Sequence, residues 1–174
     1  MEPEGWPGHI WLEGRTSVHL KDHQTRPSHM PRGPAAKTGE GFLNPTRIYC
    51  DPIVDLIQDG PCASSAIHAI CHVTGGGLSN LIRLHDSLGW HISDPLPVLP
   101  EFNWIQKNGN VDDREMYRTF NMGCGMILAV DSSVAHTVCE WLSGKMDGCS
   151  IIGTVVDNGR KVTHSNPDVI FEHY

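Results

Sequence analysis

The sequence lacks the features of a membrane, secreted or nucleic-acid-binding protein. No stretch approaches the roughly 20 apolar residues of a membrane helix, and residues 1–14 contain acids, proline and glycine where a signal peptide needs an apolar run. The six cysteines form no CxxC pair. There are 13 basic and 20 acidic residues, whereas a nucleic-acid binder needs a basic face. We therefore expect a cytoplasmic protein that binds neither nucleic acid nor membrane.

The chain has 174 residues, of which 39% are hydrophobic, and this suits one globular domain. Its N-terminal segment differs in composition from the rest. Residues 1–41 are rich in proline, glycine and histidine and show no sustained period of 2 or 3.6. This pattern predicts a disordered or divergent N-terminal segment, with one short strand near His9–Leu12. The domain proper is expected at 42–174.

Within that domain, predicted helices and strands alternate, which favours a layered α/β or α+β fold. A helix entered at Asp51–Pro52, with Asp51 as N-cap, is followed by a strand at 66–73 and a helix near Leu78–Leu84. Further helices are predicted at 100–109 and 134–144, and strands at 125–130 and 149–157. An Asn158-Gly159 turn would return residues 160–164 as a hairpin partner.

The segment HVTGGGLSNLIR (72–83) is the most informative one. Three consecutive glycines cost backbone entropy, so they indicate a sharp turn or a close approach to a ligand. A strand, a glycine turn and a helix in succession aim free N–H groups at an anion, to which Arg83 can add a second donor. The alternative is a tight turn with a solvent-facing Arg83, because the pattern is neither GxGxxG nor a Walker loop.

A second polar run lies at 110–130, where Arg118, Thr119 and Asn121 precede two glycines. These three side chains would form a polar wall of a site. The alternative is a helical turn capped by Asp112, with Glu115 completing a capping box. Both interpretations are compatible.

A metal site is not predicted. His68, Cys71 and His72 would share one face of a helix, but on a strand they lie too far apart to hold one zinc ion. No second group of ligands completes the set.

Four segments together carry a family resemblance. They are PTRIY (45–49), HVTGGGL (72–78), FNWIQKNGNV (102–111) and EMYRTFNMGCGM (115–126), found in the order and approximate spacing of one family. From Leu43 to Val156 the chain resembles the C-terminal domain of phosphoribosylformylglycinamidine cyclo-ligase (AIR synthetase), closer to its archaeal-type branch. The TGGG loop and EMYRTFN are specific to this family.

The resemblance implies a mixed β-sheet layered with flanking helices, and a purine-biosynthesis ligase. The family uses ATP and Mg²⁺ to close formylglycinamidine ribonucleotide into 5-aminoimidazole ribonucleotide, largely by positioning and charge stabilisation. His72 is the implied acid–base or polar catalytic group. The implied substrate- and phosphate-binding residues are Thr74, Gly75, Gly76, Gly77, Asn80, Arg83, Arg118, Thr119 and Asn121.

The chain departs from the family pattern in ways that leave three interpretations open. The ATP-binding N-terminal domain is missing, and residues 1–41 do not reproduce the family's Ser/Gly-His-Ser-Asn-Gly loop, so the first strand is expected to be absent and a sheet edge left open. The chain is then a fragment or split half, inactive alone, that works with a separate N-terminal-domain chain or as a homodimer. The alternatives are a non-catalytic ribonucleotide-phosphate-binding or regulatory domain, or a truncated inactive product.

Overall fold

The computed structural model describes residues 8–13 and 47–174. The predicted disorder and the missing family loop fall largely on residues outside these ranges. Helices are α1 Cys50–Asp59, α2 Pro100–Gly109, α3 Asp113–Thr119 and α4 Ala135–Ser143, with 3-10 helices at Ser64–Ala66 and Gly77–Arg83. Strands are β1 Gly8–Glu13, β2 Ile67–His72, β3 Gly89–Ile92, β4 Met126–Asp131, β5 Cys149–Val156, β6 Val162–His164 and β7 Ile170–Phe171.

The seven described strands form one mixed sheet in the order β2-β4-β1-β5-β3-β6-β7. All neighbours are antiparallel except β3 and β6, which run parallel. The predicted layered α/β fold with a mixed sheet and flanking helices is therefore confirmed.

Strand β1 lies inside the sheet, not at its edge. It pairs with β4 over Gly8↔Asp131 to Glu13↔Met126, and on its other side with β5. The short strand expected near His9–Leu12 is thus confirmed, but the expectation that the first strand is absent and an edge left open is wrong. Six residues of this segment form the strand, because β4 pairs with all six and β5 pairs with His9–Glu13, with a register shift between Ile10 and Trp11.

The predicted hairpin between β5 and the strand after Asn158-Gly159 is also wrong. The turn forms, with Asn158 Oδ1 accepting from Lys161 N at 3.2 Å, but β6 then pairs with β3 and not with β5. Trp90 N donates to Lys161 O at 2.7 Å along this parallel pair. Gly89 makes the arrangement possible, because a Cβ there would overlap Asn158 Oδ1 and Lys161 O.

The two faces of the sheet are buried by different elements. Along β4, Ile127 and Ala129 point into a cluster that contains the 3-10 helix 77–83 and the buried rings of Trp90 and Phe171. The alternate residues Met126, Leu128 and Val130 pack against α1 and α4. Strand β4 is buried on both sides, as its uninterrupted apolar run predicts.

The predicted helices α1, α2 and α4 are confirmed with small changes at their ends. Helix α1 begins at Cys50 after an N-cap at Tyr49 that makes no side-chain cap bond, so the assignment of Asp51 as N-cap is wrong. Asp51 instead lies in the first turn, where a carboxylate suits the positive end of the helix dipole. Within the described residues, no helix is both long and apolar enough to cross a membrane.

Removing the central strand should abolish folding. We expect a variant lacking residues 1–13 to lose cooperative thermal unfolding, because β4 and β5 would each lose a complete ladder of hydrogen bonds in the middle of the sheet. Far-UV circular dichroism and a melting curve measure this. A variant lacking only residues 1–6 retains β1 and is the control; equal, cooperative melting of both variants would contradict the central position of β1.

Candidate functional site: a glycine loop beside a short helix

The predicted glycine loop leaves the end of β2 and turns sharply. Val73 N donates to Gly125 O at 2.9 Å, which keeps the start of the loop on β4. Gly76 and Gly77 then have φ values of +99° and +51°. L-residues with side chains rarely adopt these conformations, so the glycines are required by the backbone.

Buried polar side chains hold the loop in this shape. Asn80 Nδ2 donates to Gly75 O at 3.1 Å and to Gly77 O at 2.9 Å. Ser79 Oγ donates to Gly76 O at 2.7 Å. Asn80 and Ser79 are 5% and 2% exposed, so these bonds are shielded from water and costly to break. Asn80 therefore acts as a support of the loop, although it was predicted to bind the ligand.

The loop has fewer free amides than the sequence pattern predicts. Gly77 N donates to Thr74 O at 2.9 Å and closes a turn, so it cannot reach a ligand. In the described part of the chain, the amides of Gly75 and Gly76 make no hydrogen bond. Thr74 and Gly75 are exposed and Gly76 is half-buried. Two adjacent amides, and not three, are thus available to an anion.

The helix after the loop is a 3-10 helix, Gly77–Arg83, and not the predicted α-helix. Its residues 77–82 are all buried. A seven-residue 3-10 helix contributes only a small dipole at its N-terminus. Anion binding at the loop therefore depends on the two amides and on Arg83.

Arg83 lies at the surface beside the loop. Its Nη1 approaches Asn80 Oδ1 at 3.5 Å, and its guanidinium carbon lies 5.0 Å from the ring centre of Tyr174. A Cβ added at Gly76 would lie 3.1 Å from the same ring. Tyr174 is thus a neighbour of the loop that the sequence did not predict, because it is 91 residues from Arg83 and belongs to no motif.

Helix α3 packs directly against the loop and brings the second polar run to it. A Cβ at Gly77 would overlap Tyr117 O and would lie 2.7 Å from Phe120 O. The predicted cap is confirmed, since Asp112 Oδ1 accepts from Glu115 N at 2.8 Å. Glu115 does not complete the predicted capping box, because its carboxylate accepts from Thr119 Oγ1.

The three predicted wall residues differ in what their side chains do. Arg118 is exposed and lines an open depression with Tyr174. Thr119 Oγ1 donates to Glu115 Oε1 at 3.0 Å, back along its own helix. Asn121 Oδ1 accepts from Gly123 N at 3.0 Å and lines a small internal cavity. Of the three, Arg118 is the one that contributes a charge to the surface.

His72 is exposed at the end of β2, immediately before the loop. The ring of Tyr49 meets it edge-on, with ring centres 5.6 Å apart. Burial raises the pKa of Tyr49 above its ordinary value, and its hydroxyl is packed so tightly on Gly125 that a Cβ there would overlap it. Tyr49 therefore positions the His72 ring, a role that was not predicted although Tyr49 lies in the PTRIY motif.

Cys71, beneath the loop, does not act as a nucleophile at neutral pH. Burial raises its pKa to about 11, partly offset by the positive charge of Arg83. A thiol whose pKa is raised in this way is largely protonated at neutral pH and is therefore a weak nucleophile. The described residues contain no group of three His, Cys, Asp or Glu side chains that could hold a metal ion.

The fit of Gly77 against α3 predicts a large difference between neighbouring glycines. Gly77→Ala should lower the free energy of unfolding by about 2–4 kcal/mol, because the methyl group would overlap a backbone oxygen at a positive φ. Gly75→Ala is the matched control: its Cβ would meet nothing within 4 Å, and the change should be below about 1 kcal/mol. Urea denaturation measures both, and equal effects would contradict the described loop.

Comparison with known proteins identifies the family to which this loop and helix belong. The family model "AIR synthase related protein, C-terminal domain" matches residues 13–165. The phosphoribosylformylglycinamidine cyclo-ligase of Methanopyrus kandleri is 39% identical over 125 residues, which are 72% of this chain and 34% of that protein. The enzyme of Nitrosococcus oceani is 40% identical over 121 residues, 68% of this chain and 32% of that protein. The chain thus spans about a third of the length of these relatives.

A solved structure supports the fold. The crystal structure of the hydrogenase maturation protein HypE in complex with ATP matches with a TM-score of 0.55 and 14% identity, over 91% of this chain and 47% of that one. At that identity the match supports the architecture alone. The expected resemblance, including archaeal relatives, is confirmed by the sequence matches. The chain belongs to the AIR synthase related family, to whose C-terminal domain its residues 13–165 correspond.

Proposed function

We propose that this chain is the C-terminal part of a phosphoribosylformylglycinamidine cyclo-ligase. The observation that carries the proposal is the glycine loop, which places two free amides beside Arg83 in a domain of this family. In this role the loop holds the phosphate of formylglycinamidine ribonucleotide while its ring closes to 5-aminoimidazole ribonucleotide. Positioning of the substrate and stabilisation of charge are then the contributions of this chain.

His72 is the proposed proton-transfer group. It is exposed at the mouth of the loop, and the edge of Tyr49 restricts its ring. A histidine whose ring is oriented by a neighbour can accept the proton lost when the amine nitrogen attacks. Thr74, at the exposed start of the turn, offers a hydroxyl to the same ligand.

The described residues offer no ready site for Mg²⁺. Magnesium requires oxygen ligands, usually carboxylates, and no cluster of three potential ligands exists among residues 8–13 and 47–174. We therefore assign the nucleotide and its metal to the two thirds of the relatives' length that this chain does not span. The HypE structure that holds ATP likewise extends well beyond the matched part.

The partner that completes the site is proposed to be a cytoplasmic N-terminal-domain chain, or a homodimer built with it. Large aliphatic side chains are exposed on α1, on β2 and just before α1: Ile48 is 74% exposed, Val54 46%, Ile57 43% and Ile70 38%. Apolar side chains of this size at the surface suit a partner interface. They fit a split half better than an independent domain.

A non-catalytic phosphate-binding domain is the second candidate. It is favoured by the absence of a metal-ligand cluster from the described residues, because the loop and Arg83 need no metal to bind a ribonucleotide phosphate. The two candidates differ in whether ATP affects binding and whether product forms when the N-terminal part of a relative is added.

The first experiment is calorimetric titration of the chain with formylglycinamidine ribonucleotide, with and without Mg·ATP. We expect saturable binding without Mg·ATP. Arg83→Ala should weaken it by about 1–3 kcal/mol, the loss of a charge-assisted hydrogen bond. Lys145→Ala removes the same charge from the opposite face of the sheet, where Lys145 pairs with Asp55, and should leave binding unchanged.

The outcomes separate the candidates. Binding that Arg83→Ala weakens, together with 5-aminoimidazole ribonucleotide formed after adding an N-terminal domain, supports the cyclo-ligase role. The same binding without product supports the non-catalytic role. A folded chain that does not bind, or equal binding by both variants, removes the glycine loop from the site.

A further inference from the structure

A second basic feature lies on the far side of Tyr174 from the glycine loop. An open depression of about 310 Å³ separates α3 from the segment 170–174. It is lined by Arg114, Arg118, Ile170, Phe171, Glu172, His173 and Tyr174. Sequence analysis placed Arg118 in the substrate wall, but its surroundings here are those of the depression.

The two arginines of the depression lie one helical turn apart. Arg114 and Arg118 are residues i and i+4 of α3 and therefore project from the same side of the helix. Helix α3 spans only Asp113–Thr119, so the attraction to an anion comes from the side chains and not from a helix end.

Arg114 is fixed in place by the segment opposite. Its Nε donates to Ile170 O at 3.2 Å, and its guanidinium carbon lies 5.6 Å from the ring centre of Phe171. The terminal nitrogens of the guanidinium retain donors for a ligand. A restrained guanidinium loses less entropy on binding than a free one.

Arg118 has no hydrogen bond or ion pair to another described residue. Of the two carboxylates on its helix, Glu115 accepts from Thr119 Oγ1 at 3.0 Å, and Asp113 accepts from Gln106 and Asn166. The acid lining the depression, Glu172, pairs with Lys161 at 2.6 Å, and this contact lowers the Glu172 pKa. The Glu172 charge is thus already paired with a cation, whereas Glu115 keeps its charge on the same helix as the two arginines.

Tyr174 separates this depression from the glycine loop. Its ring lines the depression, lies 5.0 Å from the Arg83 guanidinium, and approaches the Gly76 position. The Tyr174 ring therefore borders both features, and its face receives the Arg83 guanidinium.

We infer that the depression between α3 and residues 170–174 is a second anion site, in which Arg114 and Arg118 bind a phosphate group. Two guanidinium groups on one helix face provide paired donors that match tetrahedral oxygen geometry. The site is separate from the glycine loop and does not depend on the cyclo-ligase proposal.

The test is a titration of the full chain with inorganic phosphate at constant ionic strength, followed by ¹H–¹⁵N NMR that includes the arginine Nε–H signals. We expect saturable shifts of the Arg114 and Arg118 signals and of amides 170–174. Arg118→Gln and Arg114→Gln should each weaken this binding at least tenfold, whereas Lys145→Gln should change it less than twofold. Arg118→Lys, which keeps the charge without the paired donors, should give an intermediate affinity.

Several results would overturn the inference. Shifts confined to residues 75–77 would assign phosphate to the glycine loop alone. Equal shifts with acetate at the same ionic strength would show general screening and not a site. An unchanged dissociation constant in Arg118→Gln, with its folded spectrum intact, would remove the arginine pair. Because the loop and the depression report on different amides, failure of one leaves the other measurable.

Discussion

The structure depends on the double pairing of β1. This strand joins β4, which carries β2 and the start of the glycine loop, to β5, which carries β3, β6 and β7. Without β1 the sheet separates into two groups of strands whose backbone groups would face water or remain unpaired. The position of the loop relative to residues 170–174 therefore follows from six residues at the opposite end of the sequence. The geometry of any site that includes residues from both groups of strands therefore depends on β1.

A second constraint shapes the site: residue 77 must be a glycine, because there is no room for a side chain there. The 3-10 helix and α3 approach so closely that the Cα of Gly77 fits against carbonyl oxygens of α3. The side chains of Asn80 and Ser79 donate hydrogen bonds to the loop backbone. The loop therefore has its folded shape without a bound ligand. A loop formed in advance loses less entropy on binding.

Sequence reasoning succeeded where local rules decide the outcome. The apolar period predicted α1, α2, α4, β2, β4 and β5, and Asp112 predicted the cap of α3. The predictions failed where contacts with residues distant in the sequence determine the structure. Strand β3 was not predicted, because it is only four residues long and its apolar pattern contains a histidine. The Asn158 turn was predicted to close a hairpin with β5. In the structure, Gly89 leaves room for the chain to cross to the far side of β3, where β6 pairs with β3. Within the site, the glycines and Arg83 follow from the motif. The use of the Gly77 amide by Thr74 and the approach of Tyr174 follow only from tertiary contacts.

The charged side chains near the loop and the depression explain why this surface suits an anion. Its acidic side chains near the loop and the depression are occupied: Asp112 caps a helix, Asp113 accepts from Gln106 and Asn166, and Glu172 pairs with Lys161. Arg83 and Arg118, in contrast, have no acidic partner among the described residues. The surface beside the loop and the depression therefore carries guanidinium groups that no ion pair in the described part of the chain neutralises. Guanidinium groups of this kind favour an anion at this surface, which is the role that the proposed function gives it.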